Sequence, residues 1–364
     1  MLVAVLLDRR ALTVRNVAVA AMIILVLRPE SILTASFQMS FAATLALVAG
    51  FEFFSERRRE RLALGPPPRR TARRIGLVWL GGLALTSLLA GLATAPFGAF
   101  HFHRTAPLSL LANVVAAPVV TFLVMYPALF AVILMPLGLE AAPFRLMDIG
   151  IDLVVAIGRW IDAWTGDGGR IAAAPLWALL AVVTGMLWLS LWREKWRLLG
   201  VAPVIIGLAA WGSAPRPAIM VDETGSVAAV RGEDGRYHVA GDGADFEVDT
   251  WLRADGDLRA AGDASLAADI LCDRIGCTAP LPGGARLALL ADARGFAEDC
   301  RNAAVLVTAH AAPEGCDRTA FVIDGPELAR TGAQALYRQA DGSWRSVTVR
   351  PEVRRSWMPP LPDQ

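Results

Sequence analysis

Apolar residues run in long, almost unbroken blocks through the first 213 positions of this 364-residue chain. A helix needs roughly 20 apolar residues to cross the hydrocarbon core of a bilayer. The pattern therefore predicts a polytopic α-helical membrane domain over residues 1–213, with about seven spans of that length. We place them at residues 11–28, 34–54, 75–98, 107–136, 146–164, 174–192 and 199–213.

The fourth block is longer than one span requires and contains Pro118, Pro127 and Pro136. Proline removes a backbone donor from a helix, and broken helices at membrane depth occur where the backbone lines a cavity. Two structures remain open for residues 107–136: one tilted span, or a broken helix with a re-entrant part.

Beyond residue 213 the pattern changes to short alternating runs separated by glycine and aspartate, which is typical of strands joined by turns. Helical patches are predicted at 264–271 and 326–337. Residues 214–358 are thus predicted to form a small mixed α/β or β-rich soluble domain, followed by a flexible tail at 359–364. The predicted strands lie at 218–221, 227–230, 237–239, 286–290 and 304–307.

Basic residues collect on the cytoplasmic side of membrane proteins. The segment 55–74 holds eight arginines, so we place it inside. Seven crossings then put the basic clusters at 9–15 and 193–197 inside as well. The loops 99–106 and 165–173 and the C-terminal domain fall outside. The prediction is a multi-pass protein of the inner (plasma) membrane whose C-terminal domain is periplasmic or extracellular.

The formal charge of +1 conceals an asymmetry between the two parts. Residues 1–213 carry 19 basic and 11 acidic side chains, whereas residues 214–364 carry 16 basic and 23 acidic ones. Proteins bind nucleic acid largely by neutralising phosphates with cations. The acidic C-terminal domain is therefore not expected to be the main nucleic-acid contact.

All four cysteines, Cys272, Cys277, Cys300 and Cys316, lie in the C-terminal domain. An even number of cysteines in a domain predicted to be outside favours disulfides, with the connectivity left open. Free thiols and a four-cysteine zinc site are the alternatives. The spacings lack the paired CxxC knuckles of zinc ribbons, which makes zinc the least favoured of the three.

The four histidines do not form a recognisable ligand set. His101 and His103 form an HxH pair in a predicted external loop, but no further ligand follows them. His310 follows an apolar strand, and His238 is the only other histidine of that domain. A catalytic metal needs about three protein ligands. The sequence therefore predicts no metal site and no other cofactor, and it contains no P-loop or nucleophile elbow.

Charged residues recur at helical spacing within the fifth predicted span. They occupy an arc of about 100° on one helix face. Such a stripe lines a cavity or bundle interior in a membrane protein, or belongs to an amphipathic helix lying on the bilayer. Both interpretations remain open for Arg145, Asp148, Asp152, Arg159 and Asp162.

Gln38 and Ser40 in the second span, and Asn113 in the fourth, place polar side chains at membrane depth. Such groups bond across packed helices. The other interpretation is that they line a route for a polar solute.

Two segments resemble those of a known family. The stretch from Arg28 to Phe41 reads RPESILTASFQMSF and resembles the sFQLSF segment of ComEC-type competence proteins. The sequence FHR at 102–104, followed by PLSLLANVVAAP at 107–118, resembles a second signature of that family. The two motifs occur in matching order and spacing, and the resemblance covers residues 1–137.

The resemblance implies a membrane channel component that carries single-stranded DNA into the cytoplasm during natural transformation. Typical members begin with a soluble domain and earlier helices, so we expect this chain to be an N-terminally truncated fragment. Many members end in a metallo-β-lactamase-like domain. The HxHxDH ligand motif is absent here, which suggests a degenerate version of that domain, with no nuclease activity and no catalytic residue.

The resemblance also implies a DNA path. Its candidate residues are Gln38, Ser40, His101, His103, Arg104 and Asn113. The expected partners are single-stranded DNA, the lipid bilayer, other competence-machinery proteins or a separately encoded N-terminal part, and further copies of the chain. The alternative functions are a small-solute membrane transporter and a membrane-anchored interaction protein.

Overall fold

A computed structural model describes residues 13–63, 71–166, 169–192, 194–318 and 320–350. The backbone forms two compact units, Met1–Ser213 and Ala214–Gln364. The predicted flexible tail at 359–364 lies outside the described residues. So do several arginines used in the orientation argument, namely Arg9, Arg10, Arg69, Arg70 and Arg193.

The first unit is built mainly from helices, joined by short loops, over its described residues. Its α-helices are α1 (Val14–Leu27), α2 (Ala35–Ala63), α3 (Ala72–Phe102), α4 (Ser109–Val119), α5 (Tyr126–Leu134), α6 (Ala141–Thr165), α7 (Leu176–Leu191) and α8 (Val201–Ala209). Shorter 3-10 turns occupy Pro29–Leu33, Met135–Leu137 and Lys195–Gly200.

Within the described residues, three helical segments are both long and apolar enough to cross a membrane: Ala35–Arg57, Gly76–Phe102 and Ser109–Leu137. Two shorter apolar helices, α1 and α7, accompany them. The chain is therefore a membrane protein in its N-terminal half. The number of crossings and the side on which each loop lies remain predictions.

The fourth predicted span forms one helical segment from Ser109 to Leu137. Between α4 and α5 the backbone widens into a π-helix at Val120–Met125. This widening begins two residues after Pro118, which has no N–H to continue the α-helical ladder. The hydroxyl of Thr121 donates to the carbonyl of Ala117, 2.8 Å away. Of the two structures that the sequence left open, the described backbone thus forms the continuous one.

The last predicted span, 199–213, contains an α-helix of only nine residues, α8. At 1.5 Å per residue this helix is about 14 Å long, too short to cross the hydrocarbon core alone. It packs closely on α7 through glycines. A Cβ atom on Gly207 would lie 2.5 Å from the carbonyl oxygen of Ala178, and one on Gly185 would lie even closer to the carbonyl oxygen of Gly200.

The strands of the second unit, within its described residues, are β1 (Ile219–Val221), β2 (Ala228–Arg231), β3 (Tyr237–Ala240), β4 (Leu271–Cys272), β5 (Gly276–Pro280), β6 (Arg286–Leu290), β7 (Val305–Thr308), β8 (Phe321–Ile323), β9 (Gln334–Arg338) and β10 (Trp344–Thr348). They form two five-stranded sheets, with strand orders β10-β9-β1-β2-β3 and β4-β5-β6-β7-β8. The first sheet is antiparallel, and in the second the pairs β6–β7 and β7–β8 are parallel.

The two sheets pack face to face and helices cover their outer faces. The central core joins Ile219 and Val230 of one sheet to Leu287 and Val305 of the other. Outside the first sheet lies α9 (Asp245–Asp255), and outside the second lies α10 (Phe296–Asn302). The unit is thus a mixed α/β domain, as the alternation pattern predicted.

Two helical predictions in this unit differ from the structure. Residues 264–271 form only a 3-10 turn, Ala264–Ala267, before β4 begins at Leu271. The segment 326–337 begins as α11 (Gly325–Thr331) but ends at Gly332, whose φ of 71° lies in the left-handed region that glycine tolerates. The chain then enters β9, which pairs with β1 from the start of the unit. A long-range pairing outweighs the local helical pattern here.

The cysteines form two disulfides, Cys272–Cys277 and Cys300–Cys316. The first joins opposite positions of the antiparallel pair β4–β5. The second ties α10 to the segment that follows β7. The pairing uses all four cysteines, so the described residues leave no free thiol.

Tyr237 on β3 gives this unit a pH-dependent stability. Its side chain is 1% exposed and its hydroxyl donates to the carbonyl of Pro217 at 3.0 Å. Burial raises the pKa of Tyr237 from 10.0 to about 12. The nearby Arg231 opposes that rise, with its guanidinium 4.2 Å from the ring centroid.

Because the folded state holds the Tyr237 proton more tightly than the unfolded state, the protonated side chain contributes to the stability of the unit. This contribution is fully present below about pH 10. It is lost as the pH rises towards about 12, and its size is on the order of 2–3 kcal/mol. We expect Tyr237→Phe to abolish this loss of stability at high pH. At neutral pH it should lower the free energy of unfolding by about 1 kcal/mol, because the hydrogen bond to Pro217 is removed. Denaturant unfolding of both proteins across this range measures the effect. Parallel pH profiles for the two proteins would contradict it.

Candidate functional site

The two family-like segments meet through one hydrogen bond. The Gln38 Oε1 atom and the His101 Nε2 atom lie 2.8 Å apart, although the residues are 63 positions apart in the chain. Gln38 lies in the first turn of α2, and His101 lies in the last turn of α3. Both side chains are partly buried. The contact therefore fastens the beginning of one membrane-length helix to the end of the next.

The amide nitrogen of Gln38 shows which group donates the proton in this bond. Its Nε2 group donates to the carbonyl oxygen of Ile32 at 2.8 Å. The amide oxygen is then the atom that faces His101, so the imidazole Nε2 carries the proton and donates it. Gln38 thereby links the Pro29–Leu33 turn, α2 and α3.

The segment after His101 pairs with a distant loop. His103 ends α3 with a φ of 52°, and its carbonyl accepts a hydrogen bond from Ile171 N at 3.1 Å. Thr105 N donates to the carbonyl of Gly169 at 2.6 Å. Between them, Arg104 and Arg170 form an antiparallel bridge. The loops around 104 and 170 therefore lie at the same end of the unit, as expected of two loops predicted to share one side of the membrane.

Arg104 borders a cavity of about 420 Å³ at this end of the unit. Asp162, the last residue of the charged stripe on α6, lines the same cavity. No ion pair forms between them among the described side chains. The cavity thus presents one cation and one anion, together with the hydroxyls of Thr105, Ser109 and Thr165.

The remaining candidates do not join this cluster. Ser40 and Asn113 are exposed, and neither side chain has a hydrogen bond within the described part of the chain. All members of the charged stripe are exposed too and form no ion pair with a described residue. The face of α6 that packs on the π-helix is a different one, with Gly150 placed so that a Cβ would lie 2.8 Å from the carbonyl oxygen of Leu123.

Sequence reasoning named Gln38 and His101 separately and missed that they form a pair. Gln38 stood alone as a polar residue in an apolar block, whereas His101 was predicted to lie in an external loop; the structure instead places His101 in the last turn of α3. A signal was present in principle for Gln38, because an amide in an apolar block needs a partner at membrane depth. Nothing in the spacing indicates which residues pair.

In the second unit the histidines have local partners. His238 Nε2 lies 3.4 Å from Asp234 Oδ1, and His310 Nε2 lies 3.0 Å from the carbonyl of Ala291. The side-chain hydrogen bond from Arg294 lowers the pKa of Asp292, the residue after Ala291, to about 2. Within the described residues, no group of three or more His, Cys, Asp and Glu side chains is placed to hold a metal ion.

The first unit is similar in sequence to known proteins. The family model described as "Competence protein" matches residues 1–196. One curated relative is "ComE operon protein 3" of Bacillus subtilis (strain 168), which is 26% identical over 146 residues. The aligned part is 40% of this chain and 16% of that relative, so the chain spans a small part of its length.

No solved structure gives a significant match to the chain. The metallo-β-lactamase-like character of the second unit therefore remains an expectation. The family match, by contrast, covers more than half of the chain and contains both segments that the Gln38–His101 bond joins. This chain belongs to the competence protein family.

Proposed function

We propose that the chain is a membrane channel component that carries single-stranded DNA into the cytoplasm during natural transformation. The observation that carries the proposal is the hydrogen bond between Gln38 and His101, within the family-matched region. It joins the two segments that resemble the competence signatures, at the ends of two helices long enough to span the membrane.

In this proposal Gln38 and His101 position α2 and α3, and Arg104 provides the charge that a DNA phosphate requires. A guanidinium binds phosphate oxygens through paired N–H groups. Arg104 is exposed and borders the cavity at the end of the unit. Asp162 in that cavity repels a phosphate, which restricts the path to the Arg104 side.

The proposed location is the inner membrane, with the second unit on the outer side. Its net charge of −7 over residues 214–364 disfavours a nucleic-acid contact and leaves a role in binding other proteins of the uptake machinery. We propose no reaction for it.

A clean deletion tests the function. The deletion strain should bind fluorescent DNA at its surface but fail to move it into the cytoplasm, and transformants should fall to background. Supplying the chain in trans should restore both. Normal transformation in the deletion strain would overturn the proposal. Loss of surface binding would move the role to an earlier step than membrane passage.

Removing the Gln38–His101 bond should reduce transformation moderately. Side-chain hydrogen bonds between membrane helices contribute about 0.6–1.7 kcal/mol, so Gln38→Leu and His101→Leu should each lower DNA entry roughly three- to eighteen-fold. Because both act through one bond, the double variant should be little worse than either single variant. Thr44→Val is the matched control, since Thr44 bonds only to the carbonyl of Ser40 in its own helix. Additive losses in the double variant would show that the two residues act separately.

A further inference from the structure

A groove in the first unit shares only Thr105 with the cavity beside Arg104. It has a volume of about 570 Å³ and opens between α2, α3, α7 and α8. Its walls are mostly apolar, and the residues that matter here are Gly50, Leu89, Leu92, Pro96, Val182 and Leu208. A dry, apolar groove on a membrane helix bundle is suited to a hydrocarbon chain.

The length of the groove matches one leaflet of a bilayer. Along α3 it extends from Leu89 to Ala99, ten residues further on. At 1.5 Å per residue this is about 15 Å, half of the roughly 30 Å hydrocarbon core. An acyl chain of one leaflet therefore fits along it.

Two arginines lie at one end of the groove. Arg197 lines that end, and its guanidinium lies 4.8 Å from the ring centroid of Phe53. The guanidinium of Arg57 lies 4.3 Å from the same ring. Among the side chains that the structure describes, no carboxylate is within ion-pair distance of either arginine. One bond from Arg197 Nη2 to the carbonyl of Leu189, at 3.1 Å, holds its guanidinium at the mouth of the groove.

Tryptophans place this charged end at the level of the lipid headgroups. Trp192 and Trp196 are half exposed or more, and they flank the segment that leads to Arg197. The indole of Trp188 donates to the carbonyl of Trp196 at 2.8 Å, which ties this segment to α7. Tryptophan is enriched where the membrane meets water, and arginine beside it meets the phosphates.

We propose that this groove is a binding site for one anionic phospholipid. One acyl chain lies along Leu89, Leu92 and Val182, and the headgroup phosphate bonds to Arg57 and Arg197. A nucleic acid would leave the apolar walls unoccupied, and a zwitterionic lipid would bring its own ammonium group beside the two arginines. The proposal does not depend on DNA transport.

The charged end is tested by lipid-dependent thermal unfolding of the full chain in detergent. Phosphatidylglycerol should raise the melting temperature more than phosphatidylcholine with identical acyl chains. Arg197→Gln and Arg57→Gln should each weaken the apparent phosphatidylglycerol affinity roughly five-fold. The control Arg28→Gln should not, because Arg28 is already paired with Glu30 at 3.9 Å.

Two outcomes of that experiment would overturn the proposal. They are equal stabilisation by the two lipids and an unchanged preference for phosphatidylglycerol in both arginine variants. Inorganic phosphate or glycerol phosphate without acyl chains should give no shift. A full shift from either would reduce the site to an anion site without a lipid.

The apolar part of the groove is tested by counting retained lipids with native mass spectrometry. Leu92→Trp should fill the groove and reduce bound phosphatidylglycerol by one molecule per chain. Leu88→Trp is the matched control, since Leu88 is exposed on the same helix but does not line the groove. An equal lipid count in both variants would contradict the proposal, whatever the arginine variants show.

Discussion

Gly207→Leu should separate α7 from α8 and lower the free energy of unfolding by about 3 kcal/mol, at the upper end of the usual cost of overpacking. A Cβ atom at this position would lie 2.5 Å from the carbonyl oxygen of Ala178 and 3.0 Å from the backbone nitrogen of Val182. Both are backbone atoms, so no rotamer change relieves the clash. Small residues at such crossings are what allow two helix backbones to touch.

Thermal unfolding of the full chain in detergent measures this effect, with limited proteolysis of the 192–201 connection as a second readout. Gly207→Ala should also lower the melting temperature, but by less than Gly207→Leu. Gly81→Leu is the control, because a Cβ there meets nothing within 4 Å. Equal melting temperatures for Gly207→Leu and Gly81→Leu would show that α8 does not pack on α7 through Gly207.

Removing the Cys300–Cys316 disulfide should destabilise the second unit by about 3 kcal/mol. The bond closes a loop with a sequence separation of 16, and the loss of loop entropy in the unfolded chain grows with loop length. Cys316 is also 3% exposed and packs with Leu290, Phe296 and Leu306, so Cys300→Ala/Cys316→Ala leaves a small cavity as well. Hydrogen–deuterium exchange of the β6 and β7 amides in increasing urea reports on this unit.

The matched control is Cys272→Ala/Cys277→Ala, in which the sequence separation is only 5. The chain-entropy relation gives about 2 kcal/mol for this shorter loop, so the 300–316 pair should cost more. Alkylation without denaturant should label no cysteine in the wild-type chain. Rapid labelling of Cys300 or Cys316 in the native protein would contradict the pairing.

The second unit shows which strands of a sheet can be predicted from the local sequence pattern. The sequence placed β1, β2, β3, β6 and β7 within one residue of their observed bounds, because each is an alternating or apolar run bounded by turn residues. It did not predict β4, β5, β8, β9 or β10, and it assigned β9 to a helix. That strand exists because Leu336 pairs with Ile219 of β1, and a pairing partner so distant along the chain leaves no trace in the local pattern.

The first unit likewise has features that the local sequence pattern predicts and others that it does not. Hydropathy located the three longest apolar helices, because each must present apolar side chains to lipid over its whole length. It did not predict that α2 continues to Ala63 through a charged segment, since arginine and glutamate are good helix formers once outside the apolar region. Nor did it indicate that the last apolar block contains only a nine-residue α-helix.

The sequence by itself determined that this protein has an apolar helical part and an acidic mixed α/β part, and that it resembles competence proteins. Those properties depend on composition and on patterns within a few turns or one short motif. Only the tertiary structure decided that Gln38 bonds to His101, that Arg57 and Arg197 flank one aromatic ring, and which cysteines pair. Each of these contacts joins residues whose identities are compatible with several partners, and the packing of helices and sheets selects one of them.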